Sequence, residues 1–318
     1  MADGAPASGP IKGPFSSPLP HCKPAAEPAL TADQQAKYNE FLELVKGWEK
    51  LPTTTAKNPE QAPLSDDEKM WLTRECLLRY LRAVKWSKPA DAAKRLTDTL
   101  IWRREYGTNY FTADYISPEN ETGKLIVLGF DNEGRPCLYM DPSKQNTEKS
   151  DRQVHNLVFM LERAIDMMPA GVESIALLIN FKNSTSAKNP SVGQGKQVLN
   201  ILQGQYPERN GRSLISDLPW YVTTFFKLIS PFIDPVTKTK MKFNEPFGNH
   251  IPPSQLMKTY GGEVDFEYDH SVYWPALNTL CDGLRAERKA RWEARGKQIG
   301  DSEFILKGGE EQPAAAQA

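Results

Sequence analysis

A short polar segment, residues 234–240, contains the side chains best suited to binding a ligand, and we call it the hook. It carries the hydroxyl of Thr237 and, three residues later, the ammonium group of Lys240. A phosphate that is shielded from bulk water requires a cation and a hydroxyl or amide donor at close range. Thr237 and Lys240 supply one group of each kind. The hook is therefore predicted to bind a phosphate.

The residues that precede the hook are aromatic and aliphatic. In the run 219–233 the predicted lid side chains are Trp220, Tyr221, Phe225, Phe226, Ile229 and Phe232. An apolar lid beside a phosphate-binding hook indicates a pocket for a lipid. From the residues alone the alternatives stay open, because aromatic runs are commonly buried core and turns commonly contain Thr and Lys.

A lipid carrier has physical requirements that this apolar run meets. A diacyl lipid has on the order of thirty methylenes, each worth roughly 0.8 kcal/mol when buried. Release into water is therefore too slow to be useful, so the pocket has to stay closed in transit and open at a bilayer. An aromatic gate meets both requirements, because it packs on the lipid when closed and enters the membrane interface when open.

Composition limits the classes of partner. The chain has 318 residues with 39 Lys and Arg against 40 Asp and Glu, so its total charge gives no indication of nucleic-acid binding. The four cysteines have neither disulfide nor metal-ligand spacing, which is typical of a reducing compartment. No signal segment is recognised, and no apolar run is long enough to span a bilayer. We expect a cytoplasmic protein that contacts membranes peripherally.

Proline-rich and polar segments divide the chain into predicted units. Residues 1–27 and 301–318 are predicted to be a disordered head and a flexible tail, because such compositions bury too little apolar surface to offset the entropy of ordering. Residues 51–65, with three prolines and three threonines, are predicted to be a linker or long loop. The units between these segments are a helical N-terminal unit, an α/β lobe and a C-terminal extension, at residues 28–112, 113–265 and 266–300.

Hydrophobic periodicity and capping residues predict the elements of these units. A first helix follows Thr31, a second follows the capping box of Ser65 and Glu68, and a third begins near Pro89. Strands are predicted at residues 125–130, 136–140, 175–179, 213–215 and 241–243, with a hairpin turn at 132–134 and helices at 152–168 and 194–205. Strands that alternate with helices indicate an α/β fold with a mostly parallel sheet.

Catalytic motifs are not found in the sequence. None of the four histidines has a metal-ligand partner at a suitable spacing, and there is no Gly-x-Ser-x-Gly elbow. Residues 193–196, Gly-Gln-Gly-Lys, lack the leading glycine and the Ser or Thr of a phosphate loop. The carboxylate pair Glu162 and Asp166 is explained by a solvated helix face. We therefore predict that the chain is not an enzyme and holds no metal or cofactor, only a bound phospholipid.

The C-terminal residues 285–295 alternate in the sign of their charge. This pattern favours a solvent-exposed helix with ion pairs along its surface. The side chain of Trp292 leaves a second membrane contact as the alternative.

Several sequence strings occur together and in a characteristic order: CLLRYLRAVKW (76–86), WRREYG (102–107), LERAIDMMPAGVE (161–173), YPERNGR (206–212) and FIDPVTKTK (232–240). Over about residues 66–262 the chain resembles the CRAL-TRIO family. Within that family it is similar to the fungal secretory phosphatidylinositol-transfer proteins and their azole-resistance-linked relatives. Several motifs in the right order are a far more specific signal than any one of them.

The resemblance implies a helical N-terminal unit packed on a lobe whose sheet floors a deep apolar cavity, with a gate helix from about residue 219 to 230. It also implies that the phosphoinositide head group is held by Lys85, Glu208, Thr237 and Lys240.

Two positions depart from the family pattern. Val84 stands where the best-known transfer proteins have Arg, and residues 180–183 read Asn-Phe-Lys-Asn in place of Asp-Leu-Lys-Gly. The second departure disfavours phosphatidylcholine as a ligand and favours the azole-resistance-linked branch.

The function implied by the resemblance is the binding of phosphatidylinositol and its transfer between membranes, or its presentation to lipid kinases. The carrier is expected to be a monomer that contacts membranes or lipid droplets transiently. The alternative is a regulator that holds a sterol or another hydrophobe in the same pocket and acts through a protein partner.

Overall fold

The computed structural model describes residues 9–26, 28–108, 110–188 and 191–310. The first eight residues of the predicted head and the last eight residues of the predicted tail lie outside the described residues.

Four helices and a small hairpin form the N-terminal unit. The predicted capping box of Ser65 and Glu68 is present, and the predicted cap Thr31 forms a second capping box with Gln34. The four helices enclose a core that includes Phe41, Leu77, Leu81, Leu96 and Leu100. They are α1 (Ala32–Lys46), α2 (Asp66–Trp71), α3 (Arg74–Ala83) and α4 (Pro89–Tyr106).

The segment predicted to be a linker forms an antiparallel pair of short strands, β1 (Lys50–Pro52) and β2 (Gln61–Pro63). Arg104 of α4 explains the difference, because its guanidinium donates hydrogen bonds to carbonyl groups of both strands, including that of Leu51 at 2.8 Å and that of Pro63 at 3.1 Å. The proline-rich composition of the segment gave no indication of this distant donor.

The α/β lobe contains a five-stranded sheet in the order β3-β4-β5-β6-β7. The first two strands are an antiparallel hairpin and the remaining pairs are parallel, which confirms the predicted α/β fold with a mostly parallel sheet. The strands are β3 (Leu125–Phe130), β4 (Pro136–Met140), β5 (Ile175–Asn180), β6 (Asn210–Ser216) and β7 (Met241–Phe243).

The helices of the lobe and of the C-terminal extension complete the fold. α6 packs against β3 and β4, whereas α8 packs against α7 beside the later strands. They are α5 (Ala113–Asn120), α6 (Asp151–Asp166), α7 (Val192–Gln205), α8 (Trp220–Ile229), α9 (Pro235–Lys240), α10 (His270–Ala294) and α11 (Glu303–Leu306).

The N-terminal residues 9–26 differ from the predicted disordered head. The backbone N–H of Ile11 donates to the carbonyl of Asp265 at 2.7 Å, and the N–H of Glu267 donates to the carbonyl of Ile11 at 3.0 Å. Cys22 is buried. Docking on the lobe satisfies these backbone groups, and composition gave no information about such docking.

The C-terminal extension also differs from its prediction. Trp292 is 0% exposed and its indole N–H donates to the carbonyl of Gln298 at 3.0 Å, so the side chain is structural and the alternative of a membrane contact is wrong. In the predicted flexible tail, Glu303 and Leu306 are buried. The N–H of Arg74 donates to the carbonyl of Asp301 at 2.9 Å, which ties the tail to α3.

The explanation of Glu162 and Asp166 as a solvated helix face is wrong. Asp166 is buried and accepts a hydrogen bond from Arg285 of α10 at 2.7 Å. The Glu162 carboxylate is 2.7 Å from the guanidinium of Arg103 on α4. The periodicity of α6 does not reveal these partners, because both come from other helices.

Truncating Trp292 should therefore destabilise the fold. Trp292→Ala leaves a cavity at the end of α10, and we expect a loss of about 3–5 kcal/mol of unfolding free energy, measured by urea titration. The matched control is Trp220→Ala, which removes a side chain that is 80% exposed and should change the unfolding free energy by less than about 0.5 kcal/mol. Equal effects of the two variants would contradict the burial described above.

Candidate functional site

The hook is a short helix rather than the predicted turn. Asp234 caps α9, because its carboxylate accepts hydrogen bonds from the backbone N–H groups of Val236 at 2.8 Å and Thr237 at 3.3 Å. Pro235 occupies the first helical position, where its missing N–H costs nothing. Thr237 and Lys240 stand three residues apart in α9, so their side chains lie on the same side of the helix.

The structure brings Glu208 to the end of this helix. The Lys240 ammonium is 3.6 Å from the Glu208 carboxylate, and both side chains are partly exposed. Glu208 has a left-handed backbone with φ of 60°, which is uncommon for a residue other than glycine. Two of the predicted head-group residues, from segments about thirty positions apart, are therefore neighbours in an accessible position.

Hydrogen bonds connect the segment that carries Lys85 with the hook. Arg95 donates to the carbonyl of Ala83 at 3.1 Å and to the carbonyl of Gln203, at the end of α7, at 2.6 Å. The Gln203 amide in turn accepts from the N–H of Asp234 at 2.6 Å. Lys85 is exposed, lies two residues after the end of α3 and has a left-handed backbone with φ of 53°.

Two buried anchors hold the turn that presents Glu208. The hydroxyl of Tyr206 donates to the Glu162 carboxylate at 2.7 Å, and the same oxygen accepts from Arg103 at 2.7 Å. On the other side of Glu208, Arg209 donates to the carbonyl of Glu173 at 2.8 Å. Sequence reasoning did not assign these anchors, although each lies within one of the motifs that carry the resemblance.

The pKa of Glu162 reflects this environment. Burial alone raises the pKa of the carboxyl group, but the charge and hydrogen bond of Arg103 outweigh burial and lower the pKa to about 2. The carboxylate is therefore charged at neutral pH, and the ion pair joins the N-terminal unit to the lobe.

The inner side of α8 closes over the sheet. Val222 and Ile229 are buried, and Val222 shares a small apolar cluster with Phe181 and Ile215. Four predicted lid residues take part in the closed contacts or lie partly buried beside them: Tyr221, Phe225, Phe226 and Ile229. The Phe226 ring is 5.6 Å from that of Phe243 on β7, and the Tyr221 hydroxyl donates to the carbonyl of Ser184 at 2.5 Å.

α7 provides the seat on which the lid closes. The Phe225 ring lies against Gly195, so close that a Cβ atom at that glycine would be 2.5 Å from the ring. The ammonium of Lys196 is 4.0 Å from the centre of the Phe232 ring, a cation–π contact.

The outer side of the lid is apolar and exposed. Trp220 is 80% exposed, Leu228 56% and Phe232 48%. Large exposed apolar side chains that occur together mark an interaction surface. The predicted lid residues thus divide into an inner set and an outer pair, Trp220 and Phe232.

The sheet under the lid is incompletely covered. Leu177 and Ile179 belong to the central strand β5 and point to the same face, yet both are only half-buried. Met140 on β4 and Met241 on β7 are half-buried as well. Central-strand side chains are normally fully covered, so this apolar floor is less covered than a closed core.

This architecture and its motifs define a class of protein. Residues 37–98 match the family model of the CRAL/TRIO N-terminal domain, and residues 120–262 match that of the CRAL/TRIO domain. The chain belongs to the CRAL-TRIO family, as its motifs predicted.

Individual relatives are consistent with this assignment. Phosphatidylinositol transfer protein PDR17 of Saccharomyces cerevisiae is 44% identical over 90% of this chain and 86% of that protein. A CRAL-TRIO domain-containing protein of Schizosaccharomyces pombe is 52% identical over 89% of this chain, which spans 28% of that longer protein. The crystal structure of Sfh5 has a similar fold, with a TM-score of 0.53 at 14% identity over 82% of this chain and 100% of that one. The azole-resistance link stays a prediction.

Within the described ranges, no helix is both long and apolar enough to cross a bilayer. The same residues include no group of three or more His, Cys, Asp or Glu side chains that could hold a metal ion.

Acid should weaken the anchor at Glu162. The folded pKa is about 2 against an ordinary value of 4.5, so its stabilisation is fully present above pH 4.5 and is lost as the pH falls from there through 2. By pH 3 the wild type should lose about 2 kcal/mol of unfolding free energy from this group. In Glu162→Gln, urea titrations at pH 6 and pH 3 should not show this loss of about 2 kcal/mol of unfolding free energy. Equal losses of unfolding free energy in the wild type and in Glu162→Gln would show that Glu162 is not the group responsible.

A methyl group at Gly195 should displace the lid. In Gly195→Ala the added Cβ collides with the Phe225 ring, while the helix interior gains about 1 kcal/mol from losing a glycine. We expect faster hydrogen–deuterium exchange in α8 (Trp220–Ile229) with α7 as protected as before. Gly204→Ala in the same helix is the control, because a Cβ there meets no atom within 4 Å. Unchanged exchange in α8 would show that Phe225 adapts without moving the lid.

Proposed function

We propose that this protein binds phosphatidylinositol and transfers it between membranes. The observation that carries the proposal is the pairing of Lys240 with Glu208 beside a lid whose outer side is apolar and exposed. The transfer of phosphatidylinositol named for the PDR17 relative supports it, since most of both chains is matched.

The four predicted head-group residues have distinct roles in this proposal. Lys240 provides the cation for the phosphate, and Thr237 provides a hydroxyl donor one turn earlier in α9. Glu208 accepts hydrogen bonds from inositol hydroxyls and orients the Lys240 ammonium, which lies 3.6 Å from its carboxylate. Lys85 adds a second cation from the N-terminal unit, where Val84 supplies none.

The acyl chains occupy the space between the lid and the half-buried floor residues Leu177 and Ile179. When α8 swings outward at a bilayer, Trp220, Leu228 and Phe232 enter the interface. The exposed ammonium of Lys227 on the same helix suits an anionic lipid surface. The ligand is thus a phospholipid, and the work of the protein is binding rather than catalysis.

The wider setting follows from this activity. We propose a monomer in the cytoplasm that associates transiently with membranes or lipid droplets and presents phosphatidylinositol to lipid kinases. Nucleic acid has no place in this function, given the nearly balanced charge of the chain.

The test is vesicle-to-vesicle transfer of labelled phosphatidylinositol, with phosphatidylcholine and a sterol measured in parallel. In Lys240→Ala, loss of a charge-assisted hydrogen bond should lower phosphatidylinositol transfer by about tenfold or more. The control is Lys258→Ala, which removes an exposed lysine that pairs with Asp265 at 2.9 Å outside the site. Sterol uptake without phosphatidylinositol transfer by the wild type would refute the proposal and favour the sterol-binding regulator.

A further inference from the structure

A cluster of largely buried charges links the N-terminal unit, which carries Lys85, to the lobe, which carries Glu208. Arg79 and Arg82 of α3 each donate to one oxygen of the Glu173 carboxylate at 2.8 Å. Arg209 donates to the backbone carbonyl of the same glutamate at 2.8 Å. Glu173 is therefore held by guanidinium groups from both the N-terminal unit and the lobe.

The members of this cluster are sequence neighbours of head-group residues. Arg209 directly follows Glu208, and Lys85 lies three residues after Arg82. The contacts of Arg82 and Arg209 with Glu173 therefore anchor the two backbone segments that carry Lys85 and Glu208.

Glu303 of α11 supplies the second carboxylate of the cluster. One of its oxygens accepts from the Arg79 guanidinium at 2.9 Å, and the other is 3.6 Å from Arg209. A third partner, the ammonium of Lys307, is 3.1 Å away. The backbone N–H of Glu303 donates to the carboxylate of Glu75 on α3 at 2.6 Å, which fixes α11 on the N-terminal unit.

The charge of Glu303 is needed where it lies. Burial and the nearby charge of Arg79 both lower the pKa of Arg209, which means that the two guanidinium groups repel each other. Burial raises the pKa of Glu303, but Arg79, Lys307 and Arg209 outweigh it and hold the pKa well below its usual range. A carboxylate between two buried cations therefore keeps them at a fixed separation.

We propose that Glu303 is a positioning residue for the head-group site. It holds the side chains of Arg79 and Arg209 in fixed positions relative to each other. As a result, Lys85 and Glu208 face the same inositol phosphate. The proposal rests on the proposed function. It gives a role to a segment outside both matched family regions, 37–98 and 120–262.

The experiment compares two lipids with the same acyl chains. The full-length protein is loaded with labelled phosphatidylinositol or with labelled diacylglycerol, which lacks the inositol phosphate, and retention of each is measured. Glu303→Gln keeps the shape of the side chain but removes its charge. We expect phosphatidylinositol retention to fall about tenfold and diacylglycerol retention to stay within about twofold of wild type.

The matched control is Glu287→Gln, which neutralises an exposed carboxylate of α10 that pairs with Arg291 at 2.8 Å. It should leave both retentions unchanged. A simple loss of folding lowers the retention of both lipids. The readout is therefore the ratio of phosphatidylinositol retention to diacylglycerol retention, which a purely structural role of Glu303 would leave unchanged.

A second variant covers the case in which Glu303→Gln retains neither lipid. Arg209→Lys keeps the positive charge but loses the branched guanidinium group, which contacts both Glu303 and the backbone carbonyl of Glu173. We expect it to lower the retention of phosphatidylinositol relative to that of diacylglycerol. Wild-type preference in either folded variant, or a non-selective loss in both variants, would overturn the inference while leaving the proposed function intact. A wild type with no preference for phosphatidylinositol over diacylglycerol would overturn both.

Discussion

The nearly buried ion pair between Arg103 and Glu162, whose side chains are 11% and 13% exposed, is the constraint on which the site depends. It joins α4 of the N-terminal unit to α6 of the lobe, and Tyr206 adds a hydroxyl to the same carboxylate. Removing one member of such a pair leaves an uncompensated buried charge, so its geometry is closely fixed. The hydrogen bond of Tyr206 to this ion pair also fixes the turn that begins at Tyr206. Glu208 lies in that turn, close to Lys240.

The two parts of the site differ in how firmly they are held. The proposed head-group part rests on buried charges, whereas α8 is held by a small apolar cluster, a few ring contacts and one tyrosine hydroxyl. Elements with little burial are those that open at the lowest free-energy cost. α7 connects the parts, because Gly195 seats the lid and Gln203 holds the hook. A firmly held head-group site beside a weakly held α8 is consistent with the proposed carrier, which keeps its ligand in water and exchanges it at a bilayer.

Much of the fold was predictable because its causes are local. The capping boxes at Thr31 and Ser65 satisfy backbone donors three residues away, and strand alternation is read from adjacent residues. The phosphate-binding role of the hook was inferred from the residue types of Thr237 and Lys240, and it stays a prediction. Lys85 and Glu208 entered through the resemblance, since neither residue is distinctive by itself.

By itself, then, the sequence determined the family, the strands of the five-stranded sheet and most of the longer helices, but not the short helices α9 and α11. Only the tertiary structure decided which charges are buried together. Glu162 looked like a solvated residue because its partner Arg103 is 59 positions away, and residues 9–26 and 301–310 looked disordered because composition measures what a segment buries against itself. The ion pair of Glu162 and the docking of the two terminal segments depend on surfaces that distant parts of the chain supply. Those surfaces exist only once the chain has folded.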